Sequence, residues 1–116
     1  LLKNGLSNLK DKIILPVPSR NSDPSWFGFP ITVREQNIRE KFINFLNEKK
    51  IGTRLIFAGN LVKQPYMKNL KFKVSGDLKN TDIIMNDSLW VGVYPGLNEK
   101  MINYMVECIQ DFFKVN

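Results

Sequence analysis

One segment, Thr53-Arg-Leu-Ile-Phe-Ala-Gly-Asn-Leu-Val-Lys-Gln-Pro65, organises the interpretation of this sequence. It begins as a β-strand, because a run of apolar residues follows Arg54. It then breaks at Ala58-Gly59-Asn60, a combination typical of a turn in which the backbone approaches another group closely. Two cations and two carboxamides lie within the segment: Arg54, Lys63, Asn60 and Gln64. We therefore interpret it as a strand that carries an anion-binding loop.

Length and composition indicate a single globular domain. The 116 residues give room for one core, and a hydrophobic share of 43% fits a folded chain. No apolar run approaches the roughly 18–20 residues of a membrane span, and no signal-peptide pattern is present. Since the first residue is Leu1 and no convincing helix start precedes the apolar spacing of residues 1–12, we expect a piece of a longer polypeptide.

One cysteine and no histidine exclude several kinds of site from this chain. A structural zinc site needs about four Cys or His ligands, an iron–sulfur cluster needs several thiolates, and Ser-His-Asp or Cys-His catalysis needs a histidine. We therefore expect neither a metal site nor such a catalytic group here, and we interpret Cys108 as a small core residue. A lone thiol provides no disulfide framework, so we expect a cytoplasmic protein.

The chain is basic, with a net charge of +6 and a pI near 9.6. This charge fits a nucleic acid, an anionic membrane or a phosphorylated small molecule as partner, and it equally fits solubility alone. The lysines are scattered, and no aromatic signature of RNA recognition accompanies them. The glycine patterns of P-loops and dinucleotide-binding folds are also missing. From the residues alone, the sequence predicts a small domain with one anion-binding loop.

The spacing of apolar residues predicts an α+β fold. Residues 1–24 have the pattern of a connecting helix and a proline-rich linker, and residues 25–116 form the main domain. In its first half we expect a strand at 26–33, a helix from about Val33 to Lys49 and the strand that begins at Thr53. In its second half we expect a half-exposed strand or arm at 70–74, a short helix through about Ser88, a strand at 90–94 and a helix at about 99–114. These elements predict a small sheet of about three or four strands with helices on one side.

Several polar residues match helix-capping patterns. Thr32 and Glu35 have the spacing of a capping box for the helix predicted at 33–49, and Asn98 precedes the last helix. Three carboxylates lie in turn and helix-start contexts, so we interpret them as caps rather than as a general acid and base: Asp77, Asp82 and Asp87.

Four segments, taken together, are similar to one family of enzymes. They are Ser25-Trp-Phe-Gly-Phe-Pro30, Gly52–Pro65, Gly76-Asp-Leu-Lys-Asn-Thr-Asp82 with Ile84-Met85, and Trp90-Val-Gly-Val-Tyr-Pro-Gly-Leu97. In this order and spacing the chain resembles the C-terminal domain of the CDP-4-keto-6-deoxyglucose 3-dehydrases. These are lipopolysaccharide-sugar enzymes within the DegT/DnrJ/EryC1 sugar aminotransferase family. The resemblance covers nearly all of the chain from about Ser25 onward.

The resemblance implies the small C-terminal domain of a fold type I, vitamin B6-dependent transferase. The family members it resembles use pyridoxamine or pyridoxal phosphate and an iron–sulfur cluster. They remove the C3 hydroxyl of a CDP-linked ketosugar, receive electrons from a reductase and form homodimers. The catalytic base, a histidine in place of the aminotransferase lysine, and the cluster cysteines would belong to a large domain outside this chain. We therefore expect the isolated chain to bind no cofactor and to be inactive.

The resemblance also places two segments near the active site of the whole enzyme. From it we expect substrate or cofactor to face Trp26, Phe27, Gly28, Phe29, Arg54, Phe57, Gly59, Asn60 and Gln64. Phe27 stands where the wider family tends to carry a histidine, and an apolar wall there would favour elimination over addition of an amine. The guanidinium of Arg54 suits a pyrophosphate or carboxylate, and the carboxamides suit sugar hydroxyls or base edges. Alternatively, Arg54 forms a structural ion pair and Asn60 is only a turn residue.

Two other functions fit the same residues. The chain could be the equivalent domain of a PLP-dependent nucleotide-sugar aminotransferase, which would have a lysine at the catalytic position. It could instead be a free-standing basic module for RNA or another anion, which salt-dependent RNA binding would reveal. The dehydrase hypothesis predicts no nucleic-acid partner and no membrane span.

Overall fold

The computed structural model describes residues 1–115. The helices are α1 (Leu2–Gly5), α2 (Arg39–Glu48), α3 (Lys79–Asp87) and α4 (Glu99–Val115). The strands are β1 (Ile13–Ile14), β2 (Gly28–Val33), β3 (Thr53–Leu55) and β4 (Ser88–Gly92). Short 3₁₀ helices span Ser7–Leu9, Leu61–Lys63 and Pro65–Asn69. Within the described range, no helix combines the length and apolar character that crossing a membrane requires.

The four strands form one antiparallel sheet in the order β1-β2-β4-β3. Along β4, Val91 lies opposite Phe29 of β2, while Trp90 lies opposite Pro30 on one side and Arg54 of β3 on the other. Because successive side chains of a strand point to opposite faces, Phe29 and Val91 belong to one face, which we call the first face. Pro30, Arg54 and Trp90 belong to the other, which we call the second face.

The hydrophobic core lies between the first face of the sheet and helices α1, α2 and α4. Its fully buried side chains include Leu6, Ile31, Phe42, Leu89 and Ile109. In contrast, α3 contributes no buried residue to the core and contacts β2 and β4 from outside it. The predicted α+β fold, with a sheet of three or four strands, is confirmed.

The helix start predicted at Thr32–Glu35 is wrong. Thr32 belongs to β2, where it pairs with Ile14 and Ser88, and its hydroxyl forms a hydrogen bond of 2.7 Å with that of Ser88. The helix begins only at Arg39, after a turn, and Ile38 at its N-cap provides no side-chain hydrogen bond. Strand pairing with residues far along the chain therefore overrides the local capping pattern.

Two other predicted boundaries also differ from the structure. The alternation at 70–74 forms no strand, and the three apolar side chains at 70, 72 and 74 are exposed, so the segment is the arm alternative. Strand β4 begins at Ser88, immediately after α3 ends, whereas the sequence predicted a helix that included Ser88. The hydroxyl pairing of Ser88 with Thr32 and its place in the ladder explain this earlier start.

The capping predictions have mixed outcomes. Asn98 caps α4, because its Oδ1 accepts a hydrogen bond of 2.9 Å from the N–H of Met101. Asp77 accepts one of 3.0 Å from the N–H of Lys79 at the start of α3, as predicted. The cap predictions for Asp82 and Asp87 are wrong: Asp82 binds the side chains of other segments, and Asp87 is the last residue of α3.

Candidate functional site

Three aromatic side chains cluster on the second face of the sheet. The ring of Trp90 lies 4.8 Å from that of Phe27 and 5.8 Å from that of Phe57, measured between centroids. Phe27 and Phe57 are nevertheless 80% and 82% exposed. We call these three residues the aromatic wall. Large aromatic side chains grouped at a surface are typical of a site that contacts another molecule or another part of a protein.

Gly28 makes the aromatic wall possible. An added Cβ at this position would lie 1.6 Å from Cε3 of the Trp90 indole, which is far inside van der Waals contact. The indole therefore lies directly over the backbone of β2, where only glycine leaves room for it. Gly92, which pairs with Gly28 across the sheet, differs because a Cβ there would meet no atom within 4 Å.

A cavity of about 940 Å³, which we call the first cavity, lies against the aromatic wall and has Arg54 in its lining. Among residues 1–115, the guanidinium of Arg54 has neither a hydrogen bond nor an ion pair, so the structural ion pair considered for it is not found there. The Nε1 atom of Trp90 is buried and likewise has no hydrogen-bond partner in the described part of the chain. Buried donors are normally satisfied, so this indole N–H is an exception, and the first cavity presents flat apolar surfaces beside one unpaired guanidinium.

The loop that follows β3 is held by Asn60. Its side chain is only 2% exposed, and its Nδ2 donates a hydrogen bond of 2.7 Å to Asp82 of α3. Its Oδ1 accepts one of 3.2 Å from the N–H of Val62, which caps the short helix at Leu61–Lys63. The Lys63 ammonium completes the group with an ion pair of 2.8 Å to Asp82. The loop is thereby tied to α3, 22 residues further along the chain.

Two further contacts fix the same loop. Gly59 has a φ of +64°, and a Cβ there would lie 2.5 Å from Cγ of Met85, so the backbone packs directly on α3. The Nε2 atom of Gln64 donates a hydrogen bond of 2.6 Å to the carbonyl of Ala58 within the loop. These contacts hold the end of β3, and with it Arg54 and Phe57, in one position against Trp90.

The ion pair with Lys63 is expected to make stability depend on pH. The hydrogen bond with Lys63, and then that with Asn60, hold the pKa of Asp82 below its ordinary value of 3.8. A carboxyl group whose pKa is lower in the folded state stabilises the fold above its unfolded pKa, and this contribution is lost as the pH falls through the folded value. The free energy of unfolding of Asp82→Asn should therefore lie below that of the parent chain at neutral pH, and the difference should shrink at about pH 2.

Urea unfolding at the two pH values measures this difference. The matched control is Asp111→Asn, which removes the same charge from an exposed ion pair with Lys114. We expect that control to change stability little, since exposed pairs contribute about 0–1 kcal/mol. A constant difference between the parent chain and Asp82→Asn at both pH values would contradict the expectation.

The structure brings only some of the predicted site residues together. Phe27, Arg54 and Phe57 line the first cavity, and Gly28 lies beneath the indole that they surround. Trp26 and Phe29 instead line a separate cavity of about 460 Å³, and Phe29 is buried in the core.

Gly59, Asn60 and Gln64 are not among the residues that line the first cavity. The side chains of Asn60 and Gln64 form hydrogen bonds within the chain, so contact of either carboxamide with a sugar stays a prediction. Sequence reasoning missed Trp90 as a site residue. The sequence did contain a signal for Trp90. Because side chains alternate along a strand, Trp90 and the buried Val91 point to opposite faces, and Trp90 therefore faces away from the core.

Residues 1–110 match the sequence profile of the DegT/DnrJ/EryC1/StrS aminotransferase family. The lipopolysaccharide biosynthesis protein RfbH of Salmonella typhimurium is 50% identical over 117 residues, which cover 99% of this chain and 27% of that protein. A dTDP-4-dehydro-2,6-dideoxy-D-glucose 3-dehydratase of Saccharopolyspora spinosa is 43% identical over 113 residues, which cover 96% of this chain and 24% of that protein. The chain thus spans about a quarter of the length of these curated relatives.

A solved structure shows the same fold. It is that of the Escherichia coli GDP-4-keto-6-deoxy-D-mannose-3-dehydratase with bound hydrated PLP, which superimposes with a TM-score of 0.82 at 22% identity. The match covers 93% of this chain and 28% of that one. The solved structure shows the fold, whereas the profile match and the 50% identical relative confirm the family expected from the sequence resemblance.

Proposed function

Because the chain belongs to the DegT/DnrJ/EryC1/StrS aminotransferase family, we propose that it is one domain of a vitamin B6-dependent nucleotide-sugar 3-dehydratase. The proposed reaction removes the C3 hydroxyl of a 4-keto-6-deoxy sugar in the synthesis of lipopolysaccharide or O-antigen sugars. Relatives named as a lipopolysaccharide biosynthesis protein and as a 3-dehydratase support this assignment. We propose a CDP-linked substrate on the basis of the sequence resemblance, and a cytoplasmic location for the enzyme.

The aromatic wall is the observation that carries this proposal. Phe27, Phe57 and Trp90 give the first cavity a side without an ionisable group, next to the unpaired guanidinium of Arg54. An apolar surface of this kind offers no base or acid that would assist the addition of water or an amine. It also excludes water from the reacting carbon atoms, which favours loss of the hydroxyl over hydrolysis.

The residues of the first cavity fit a flat phosphorylated cofactor or the nucleotide sugar that reacts with it. The aromatic wall offers ring faces for stacking, and Arg54 offers a donor fork for phosphate oxygens. When bound, a vitamin B6 cofactor would supply an amine for the C4 ketone and a ring that accepts electrons when a proton is removed and returns them as the hydroxyl leaves. We propose that Phe27 and Phe57 shield this chemistry from water and that Arg54 binds a phosphate group.

An iron–sulfur cluster does not fit the residues of this chain. Its single cysteine, Cys108, is buried in α4, and within residues 1–115 no three Cys, Asp or Glu side chains are grouped so that they could hold a metal ion. We propose that the cluster ligands, the catalytic histidine, the reductase contact and most of the homodimer interface belong to the remainder of the enzyme. The isolated chain is then inactive, and tight binding of pyridoxamine phosphate to it in a titration would contradict this.

Replacing Phe27 with histidine should shift the product of the whole enzyme toward an amino sugar. A histidine beside the reacting carbon atoms can move protons, and general acid–base catalysis contributes about 10²–10⁴-fold in rate. Even a poorly placed imidazole should therefore raise the share of C4-amino product roughly tenfold. Mass spectrometry of the reaction products measures the ratio of deoxy sugar to amino sugar.

Two matched variants make this test specific. Phe27→Leu keeps the wall apolar and should keep the parent product ratio, although turnover falls as the contact with Trp90 is lost. Phe72→His places the same imidazole on the exposed arm, at a residue that does not line the first cavity. If Phe27→His folds and turns over with the parent product ratio, the proposed role of the wall is wrong.

The second candidate is a PLP-dependent nucleotide-sugar aminotransferase, which the name of the matched family favours. The two functions differ in the catalytic position outside this chain, where a dehydratase would carry a histidine and an aminotransferase a lysine. Sequencing the polypeptide beyond these residues decides between them. A lysine at that position would reject the dehydratase proposal.

A further inference from the structure

A second cavity, of about 780 Å³, adjoins the first between the end of α2 and the start of α4. Its lining includes three lysines, Lys49, Lys50 and Lys100, and no carboxylate. None of the three ammonium groups takes part in an ion pair within the described part of the chain. Lys49 also lies over the ring of Phe45, with its ammonium 5.6 Å from the centroid. The second cavity is therefore a region of positive charge that lacks a partner in this domain.

Aromatic surfaces accompany this charge. Tyr94 and Tyr104 both line the second cavity and are both exposed. Tyr104 is held in place, because its hydroxyl donates a hydrogen bond of 3.0 Å to the carbonyl of Lys49. Cations beside exposed aromatic rings suit a ligand that carries several negative charges together with a flat ring, since rings stack on aromatic faces.

Two glycines form the passage between the cavities. Gly52 and Gly92 line both of them. A Cβ at either position would meet no atom within 4 Å, so the space above each backbone is open. An elongated ligand can consequently extend from the lysines, over the glycines, to the aromatic wall.

We propose that the second cavity binds the nucleoside diphosphate arm of the substrate. The phosphates lie among the three lysines, the base lies against Tyr94 or Tyr104, and the sugar extends over Gly52 and Gly92 into the first cavity. This inference rests on the proposed function, because it assigns a further part of the same nucleotide sugar to this chain. It differs from the proposed function because it assigns substrate binding, rather than catalysis, to the region between the end of α2 and the start of α4.

Titration of the isotopically labelled chain with CDP, GDP and dTDP tests the inference by NMR. We expect the amide signals of Gly52, Gly92 and Lys100 to shift, and we expect Lys50→Gln/Lys100→Gln to bind about fivefold more weakly, since exposed charge pairs are individually weak. The matched control is Lys71→Gln/Lys73→Gln, which removes the same charge from the exposed arm. The inference would be overturned if none of the three nucleotides bound or if the shifts were confined to the aromatic wall. Equal affinities of the two double variants would also overturn it.

Gly92→Val tests whether the cavities are continuous. The new side chain enters the open passage without a clash at Cβ, and valine suits a strand. In the parent chain, CDP-glucose should shift the indole N–H signal of Trp90 as well as the amide signal of Lys100. In Gly92→Val that indole shift should be lost, while CDP still shifts the amide signal of Lys100. An indole shift that survives in the variant would contradict a ligand path over the glycines.

A kinetic measurement separates failure of this inference from failure of the proposed function. In the whole enzyme, Lys50→Gln/Lys100→Gln should raise KM about fivefold and leave kcat unchanged, because the lysines bind substrate and transition state equally. A 3-deoxy product with an unchanged KM would reject the inference and keep the function. An amino-sugar product with a raised KM would reject the dehydratase function and keep the binding site.

Discussion

Gly28→Ala is expected to destabilise the chain by about 3 kcal/mol, the upper part of the range for inserting atoms into a filled space. The added Cβ would lie 1.6 Å from Cε3 and 2.3 Å from Cζ3 of Trp90, so either the indole or the backbone of β2 must move. Movement of the indole separates it from Phe27 and Phe57 and opens the aromatic wall. Displacement of β2 instead disturbs its ladder with β4, which contributes Leu89 and Val91 to the core.

Gly92→Ala is the matched control for this prediction. It makes the same substitution on the residue paired with Gly28, where a Cβ meets no atom within 4 Å. We expect a change of no more than about 1 kcal/mol, in the stabilising direction, because alanine restricts the unfolded chain more than glycine does. Urea unfolding followed by circular dichroism gives both values. Equal unfolding free energies for the two variants would show that the indole does not require Gly28.

Phe42→Ala is expected to have the largest effect on stability, about 3–5 kcal/mol. The Phe42 ring is fully buried and lies 4.8 Å from that of Phe112 and 5.1 Å from that of Phe113, between centroids. These contacts join α2 to α4, so truncation leaves a cavity between the two longest helices. Since small domains are stable by about 5–15 kcal/mol in total, the variant should be close to unfolding at physiological temperature.

The control for Phe42→Ala is Phe72→Ala on the arm. Phe72 is 47% exposed and lies outside the core, so its truncation should cost far less, within about 1 kcal/mol. The midpoint of urea unfolding, compared at equal m-value, measures both effects. A similar loss of stability in the two variants would place the core elsewhere than between α2 and α4.

Elements with a strong periodic pattern could be predicted from the sequence. The helix predicted at about 99–114 is present as α4, and Asn98 caps it, because both signals are local. The helix predicted at about 33–49 is present as α2, with Phe42 and Leu46 buried, although it begins six residues later than expected. Periodicity reports which side of a helix is buried wherever the helix starts.

Long-range pairing explains what the sequence could not reveal. Thr32 matches a capping box locally, yet its hydroxyl partner is Ser88, 56 residues away. Asn60 has the chemistry of a ligand-binding residue, yet its side chain is buried and donates a hydrogen bond to Asp82. In each case the same polar group satisfies a distant segment, and no local pattern records that partner.

The candidate site could also be predicted only in part from the sequence. Phe27, Arg54 and Phe57 were expected at a site, and the structure brings them to one cavity. Strand alternation places Trp90 on the face away from the core, but its position beside these three residues follows only from the pairing of β2, β3 and β4. The second cavity depends on the approach of the end of α2 to the start of α4, which no sequence motif indicates.

If the aromatic wall belongs to a sugar 3-dehydratase, the chemical identity of the reaction product must show it. The whole enzyme, supplied with pyridoxamine phosphate, a reducing system and a CDP-linked 4-keto-6-deoxy sugar, is allowed to turn over, and the product is analysed by mass spectrometry. For a sugar 3-dehydratase we expect a product that has lost the C3 hydroxyl and carries no new nitrogen. A product that keeps the C3 hydroxyl and carries an amine at C4 would contradict it.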